Sequence, residues 1–174
     1  MKPYLQYLPT RPGTAAALAL VACTAVAQGT PPMRSSECRT VQANQEWQPT
    51  RIIVRPGEFV CVAGDGLWSH GNQGEEAFIP YYGPEGYGRD SPAVVPGPVL
   101  KLGALVGRIG TNSTFIVGRQ MCFFPQATGE LMLSMNDEPG AFANNGGRMR
   151  VQVAKWSASV IPERVSLTPQ QCRR

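Results

Sequence analysis

Charge and histidine are both scarce in this chain: Asp, Glu, Lys and Arg make up 16% of its 174 residues, and His70 is the single histidine. So low a charge content does not suit long solvated helices, and any chemistry that leans on histidine has one candidate. His70 stands beside Gly71 in a turn-like stretch, where a histidine is ordinarily solvent-exposed, so it is a weak general base. No C-x-x-C spacing occurs, and His70 is nine residues from the nearest cysteine, Cys61, which argues against a zinc site. No run of lysine and arginine follows a phosphate backbone, so nucleic acid is not an expected partner. Internal repeats and low-complexity blocks are also missing.

Glycine and proline are abundant, at 19 and 16 residues, while hydrophobic residues reach 43%. Many turns joining short apolar runs describe an all-β domain, and the length suits one buried core rather than two.

Residues 1–27 read as an export segment. Lys2 and Arg11 precede an uncharged, Ala-rich stretch from Thr14 to Val26 that ends in small residues. That stretch is about 13 residues, against roughly 20 for a spanning helix, so no transmembrane span is expected. Two cleavage readings stand. Ala25-Val26-Ala27 suits ordinary signal peptidase and a mature chain from Gln28, whereas Leu20-Val21-Ala22-Cys23 has the form of a lipobox and would leave a lipid anchor at Cys23. Removing Lys2 and Arg11 leaves 14 basic against 12 acidic residues, a charge of +2. The protein is therefore expected to be periplasmic or secreted, or else a membrane-anchored lipoprotein.

Four cysteines lie beyond the leader: Cys38, Cys61, Cys122 and Cys172. In an oxidising compartment an even count reads as two disulfides, with three connectivities open. One pairing would tie the domain's ends through Cys38 and Cys172 and leave Cys61 and Cys122, both in strand-like segments, to join across the core. A C-terminal extension, residues 156–174, would then be pinned by Cys172.

Strand signals recur along residues 36–155. Arg51-Ile52-Ile53-Val54-Arg55, the turn Pro56-Gly57 and Glu58-Phe59-Val60-Cys61-Val62-Ala63 read as a strand pair. From His70 to Pro98 no period is sustained, and a long loop is expected, a kind that in compact domains often carries function. Val99 to Gly110 is apolar. Glu130 to Met135 alternates, and Arg148-Met149-Arg150-Val151-Gln152-Val153 alternates strictly, the period of a half-buried strand. Trp68 and Trp156 are expected in packed positions.

Between the last two strands lies Asn136-Asp137-Glu138-Pro139-Gly140-Ala141-Phe142-Ala143-Asn144-Asn145-Gly146-Gly147. Its side chains offer oxygen, the donor a hard cation such as Ca2+ takes in a flexible shell of six to eight. Asp137 can give carboxylate oxygens, Asn144 and Asn145 amide oxygens, and the Pro139-Gly140 bend a nearby carbonyl such as that of Ala141. The same residues are also ordinary hairpin-loop residues, so the spacing alone leaves the ion open. With at most Asp137 and Glu138 charged, such a site binds Ca2+ more weakly than a carboxylate-rich cage.

This loop and its flanks resemble the PA-IL-type calcium-dependent galactose-binding bacterial lectins. The motifs that carry the resemblance are Pro56-Gly57-Glu58, Gly66-Leu67-Trp68-Ser69-His70-Gly71, Gly83-Pro84-x-Gly86, Gly103-Ala104-Leu105-Val106-x-x-Ile109-Gly110 and Asn136-Asp137-x-Pro139-Gly140-x-x-x-Asn144-Asn145-x-Gly147. They follow the family's order over roughly Cys38 to Lys155. The resemblance implies a jelly-roll sandwich of two antiparallel sheets with no enzymatic activity. It also implies a Ca2+ ion held by Asp137, Asn144 and Asn145 and by the carbonyls of Ala141 and His70. Two vicinal sugar hydroxyls would complete the ion's shell.

The sequence departs from the family pattern after Gly-Pro-x-Gly. The family's His and Gln that contact the galactose primary hydroxyl fall on Asp90 and Ala93, so the galactose-specific contacts are not preserved. Asp90 could accept hydroxyl hydrogen bonds instead, Tyr81, Tyr82 or Tyr87 could present a ring to a sugar face, and Glu138 stands beside Asp137 in the loop. Two other functions compete. A glycosidase would need paired carboxylates, but Asp137 and Glu138 are sequence neighbours that an extended segment points to opposite faces, which leaves Asp90, Glu75 or Glu76. A structural envelope lipoprotein anchored at Cys23 would keep the sandwich without sugar binding. The sugar, the number of copies in a homo-oligomer and the mode of export are not legible here.

Overall fold

The computed structural model describes residues 33, 35–71, 80–88, 90–91 and 100–172. The leader, with Cys23 and Gln28, lies outside them, as do Glu75, Glu76 and Ala93. Two four-stranded sheets face each other and every strand pairing is antiparallel. The first sheet runs β1 (Ser35–Gln42), β10 (Gly146–Ser157), β3 (Glu58–Ser69), β8 (Gln120–Phe123). The second runs β2 (Gln48–Val54), β9 (Gly129–Met135), β6 (Leu105–Ile109), β7 (Phe115–Ile116). A two-residue ribbon joins β4 (Asp90–Ser91) to β5 (Leu100–Lys101). Among the described residues helix is limited to short 3-10 turns, and none is long and apolar enough to cross a membrane.

Alternation decides which face of each strand is buried. In β10, Met149, Val151 and Val153 turn inward while Arg148 and Arg150 remain exposed; in β9, Leu131, Leu133 and Met135 are fully buried. These side chains meet Val60, Val62 and Trp68 of β3 and Leu105 of β6 between the sheets. A second apolar cluster lies on the outer face of the first sheet, where Cys61, Ala154 and Trp156 are covered by Val165 and Leu167 of the C-terminal segment. Both disulfides of the end-tying arrangement are present: Cys38–Cys172 and Cys61–Cys122. Cys61 and Cys122 are directly opposed on β3 and β8, so this bridge lies within one sheet rather than between the two.

Two sequence expectations need correction. The segments around Pro56-Gly57 are not a strand pair: β2 bonds to β9 and β3 to β10, so the turn carries the chain from one sheet to the other. Glu58 secures that corner, accepting from Arg55 N–H through Oε2 at 2.9 Å while Lys155 Nζ stands 3.7 Å from Oε1. The long loop after His70 is also less irregular than expected, because Tyr82 pairs with Trp68 through two main-chain hydrogen bonds and β4 pairs with β5. In β2 the register slips between Pro49 and Ile53, and side chains take over the bonding. Thr50 Oγ1 donates to Leu131 O at 2.7 Å, and Arg51 N–H donates to Glu130 Oε1 at 2.6 Å.

Candidate functional site

The connection between β9 and β10 closes one end of the sandwich, and Asn136 anchors it. This side chain is fully buried, and its Nδ2 donates to Lys101 O at 3.0 Å and to Leu100 O at 3.3 Å. Its main chain bonds to Gly103 and Ala104, so the loop is tied to the β5–β6 connection on both sides of the peptide. Gly103 is in turn held from above, since Trp68 Nε1 donates to Gly103 O at 2.7 Å. Its φ is +70°, and an added Cβ would lie within 2.1 Å of the Tyr82 hydroxyl oxygen, so only glycine fits there.

Asp137 and Asn145 meet across this loop. Both are buried, and Asn145 Nδ2 donates to Asp137 Oδ2 at 2.8 Å, to Ala43 O at 3.2 Å and to Met135 Sδ at 3.4 Å. Asp137 Oδ1 accepts from Glu138 N–H at 2.8 Å. With three acceptors around the nitrogen, the amide orientation is set, and Asn145 Oδ1 is left buried with no hydrogen-bond partner among the described residues. Asn144 is exposed at the end of a 3-10 turn, Phe142–Asn144, that Ala141 caps, and Phe142 packs into the core beneath it. Glu138 is exposed while Asp137 is buried, so these neighbouring carboxylates point apart.

His70 directly follows the last residue of β3, against the same region. It is half-buried rather than solvated as the sequence suggested, because Nδ1 lies 2.7 Å from the Tyr82 hydroxyl and the rings of His70, Tyr82 and Tyr87 stand 5.6 Å apart in each pairing. Burial, and after it the negative charge of Asp137, push the Tyr82 hydroxyl far above the ordinary tyrosine range. That influence links the aromatic group electrostatically to the acidic loop. Tyr81 and Tyr87 are exposed. Tyr81 lies over Gly146 and Gly147, with its hydroxyl 3.1 Å from where a Gly146 Cβ would stand. The main chain of Asp90 pairs with Lys101 in the β4–β5 ribbon, and its side chain lies outside the described part of the structure.

Sequence reasoning named Asp137, Asn144, Asn145, Ala141, Glu138 and His70. It missed the supporting roles of Asn136 and Gly103, which stand within motifs already noted, and of the Tyr82 hydroxyl, whose residue was named only for its ring. Among the described residues no three His, Cys, Asp or Glu side chains cluster; the structure brings together Asp137 and Asn145, and the loop offers one buried carboxylate, amide side chains and main-chain oxygens. Such a donor set fits a hard cation and not a soft one.

Comparison with known proteins agrees with the architecture. The EclA N-terminal domain, a PllA-like lectin, superposes with a TM-score of 0.53 at 23% identity, covering 68% of this chain and 95% of that one. The model of the PA-IL-like proteins matches residues 37–158, most of the chain. The match runs from within β1 to just past the end of β10, and the chain belongs to the PA-IL-like lectin family.

Proposed function

We propose that this chain is an exported, calcium-dependent carbohydrate-binding protein. Asp137, Asn144 and Asn145 would hold a Ca2+ ion through side chains, and Ala141 and His70 through main-chain oxygens. One observation carries the reading: Asn145 Oδ1 is buried and unpartnered in the same loop as the buried Asp137 carboxylate. A buried polar atom without a partner costs roughly 1–3 kcal/mol, and a cation matched to oxygen donors relieves it. When bound, the ion supplies positive charge and open coordination positions to two neighbouring hydroxyls of a sugar ring.

The chain's own residues do the rest. Asn136 and Gly103 hold the loop in place, and Phe142 seats its far end in the core. Tyr87, exposed beside His70, offers an aromatic face to the apolar side of a sugar, and Glu138 accepts from a hydroxyl at the rim. Asp90 joins them where the family has its galactose-selecting residues. A galactose-like sugar is the starting expectation for the ligand. Two disulfides and the export segment support an oxidising destination. Mass spectrometry of the mature N-terminus distinguishes a chain starting at Gln28 from one acylated at Cys23, and light scattering gives the number of copies in a homo-oligomer.

The deciding experiment is a glycan array run with Ca2+ and with chelator. Sugar signals that vanish on chelation are expected. Equal signals in both conditions, or no calorimetric heat when Ca2+ is added to chelator-treated protein, would overturn the reading.

A further inference from the structure

The outer face of the first sheet carries a cleft of about 660 Å3 that the site above does not use. Its floor is the β3–β10 pairing, with Leu67 opposite Arg148 and Asp65 opposite Arg150, and the Cys38–Cys172 bridge forms one wall. Arg148 and Arg150 are two residues apart on one strand, so their side chains leave the same face, roughly 7 Å apart along it. Both are exposed, and neither forms an ion pair among the described residues. A third arginine of the cleft, Arg39, is already committed to Glu37 and to the carbonyls of Cys38 and Thr50. Leu67 is 58% exposed and gives the arginines an apolar neighbour.

The geometry points to this cleft as a second binding site, one that takes an acidic saccharide through a single carboxylate. Two guanidinium groups that form no ion pair among the described residues, Arg150 with Asp65 facing it across the strands, make a fork for an oxyanion, which arginine engages through paired N–H donors. Leu67 and the disulfide suit the apolar C–H face of a ring, and Asp65 accepts hydrogen bonds from ring hydroxyls. The same Asp65 carboxylate disfavours ligands dense in negative charge, such as a heavily sulfated chain. A uronic acid unit combines the required features: one carboxylate, several hydroxyls and an apolar face. That the ligand is a saccharide rests on the lectin reading; the oxyanion chemistry rests on the arginines alone.

Calorimetric titration of the full mature protein with galacturonate in low salt tests the proposal, with its methyl ester as the neutral control. Expected are one-site binding that persists in chelator, loss of the signal with the ester, and at least tenfold weaker binding in the exposed double variant Arg148→Gln, Arg150→Gln. That variant should still bind Ca2+ and retain every neutral-sugar signal on the array. An unchanged affinity in the double variant, or an ester that binds as well as the acid, would overturn the second site. Binding that disappears on chelation would move the uronate to the β9–β10 loop and equally refute it. Failure of calcium-dependent neutral-sugar binding with uronate binding intact would sink only the other reading.

Discussion

Asp137 and Asn145 hold each other in place, and the consequence of removing either is specific. Asp137→Ala should abolish Ca2+ and sugar binding together, read by calorimetry and by the array, because it deletes the one buried carboxylate of the loop. Loss of sugar binding with Ca2+ affinity unchanged would reduce the ion to a structural role. Asn145→Leu removes the unpartnered oxygen while keeping side-chain bulk, and should also end Ca2+ binding. Tyr82 makes a second prediction at this scale. Its hydroxyl is raised by burial and by Asp137, so above the ordinary tyrosine pKa of about 10 the unfolded chain releases a proton that the folded chain retains. Stability that is fully present below that value is therefore lost as pH rises past it. In chelator, alkaline unfolding should be shallower for Tyr82→Phe than for the natural protein. The acidic loop residues could be found from the sequence because oxygen-bearing side chains and glycines concentrate there. The partnership of His70 with Tyr82 could not: they stand twelve positions apart with no period between them, and the main-chain bridge from Trp68 to Tyr82 brings their rings together.

At the level of elements, the strands that alternate strictly are the ones periodicity located well. Arg148 to Val153 lies within β10, where exposed arginines alternate with buried apolar residues, and Glu130 to Met135 lies within β9, where Ser134 is buried along with Leu131, Leu133 and Met135. The Pro56-Gly57 turn misled because a tight turn reverses the chain equally well within a sheet or between two, and its residues do not say which. The bulge in β2 left no mark in the sequence beyond Thr50 and Glu130, whose hydrogen-bonding roles depend on what stands opposite. Two variants probe how elements hold together. Trp68→Phe keeps an aromatic ring in the core, with some loss of volume, and leaves Gly103 O without its donor. It should cost about 1–3 kcal/mol in denaturant unfolding and weaken Ca2+ binding through the loosened β5–β6 connection. Replacing Cys61 and Cys122 together by alanine frees a loop of 61 residues in the unfolded chain. A loss of about 2–4 kcal/mol is expected, checked by the same unfolding measurement.

Taken whole, the molecule is a sandwich with the oxygen-rich β9–β10 loop at one end and an arginine-bearing cleft on an outer face. Composition alone indicated the class, because glycine, proline and low charge leave little but short strands and turns. Calcium bound only by the folded state should raise the unfolding temperature by about 5–10 °C at a hundredfold excess over Kd, a shift that chelator reverses. A scan unchanged by the metal would count against the loop as its site. The Cys38–Cys172 bridge, which spans a separation of 134 residues, has a further effect. It turns nearly the whole domain into a covalent ring, so a single protease cut anywhere between those cysteines releases nothing. Such nicked material would migrate as one species on a non-reducing gel and fall into two pieces only after thiol treatment. In an environment rich in secreted peptidases, a wounded copy would stay in one piece.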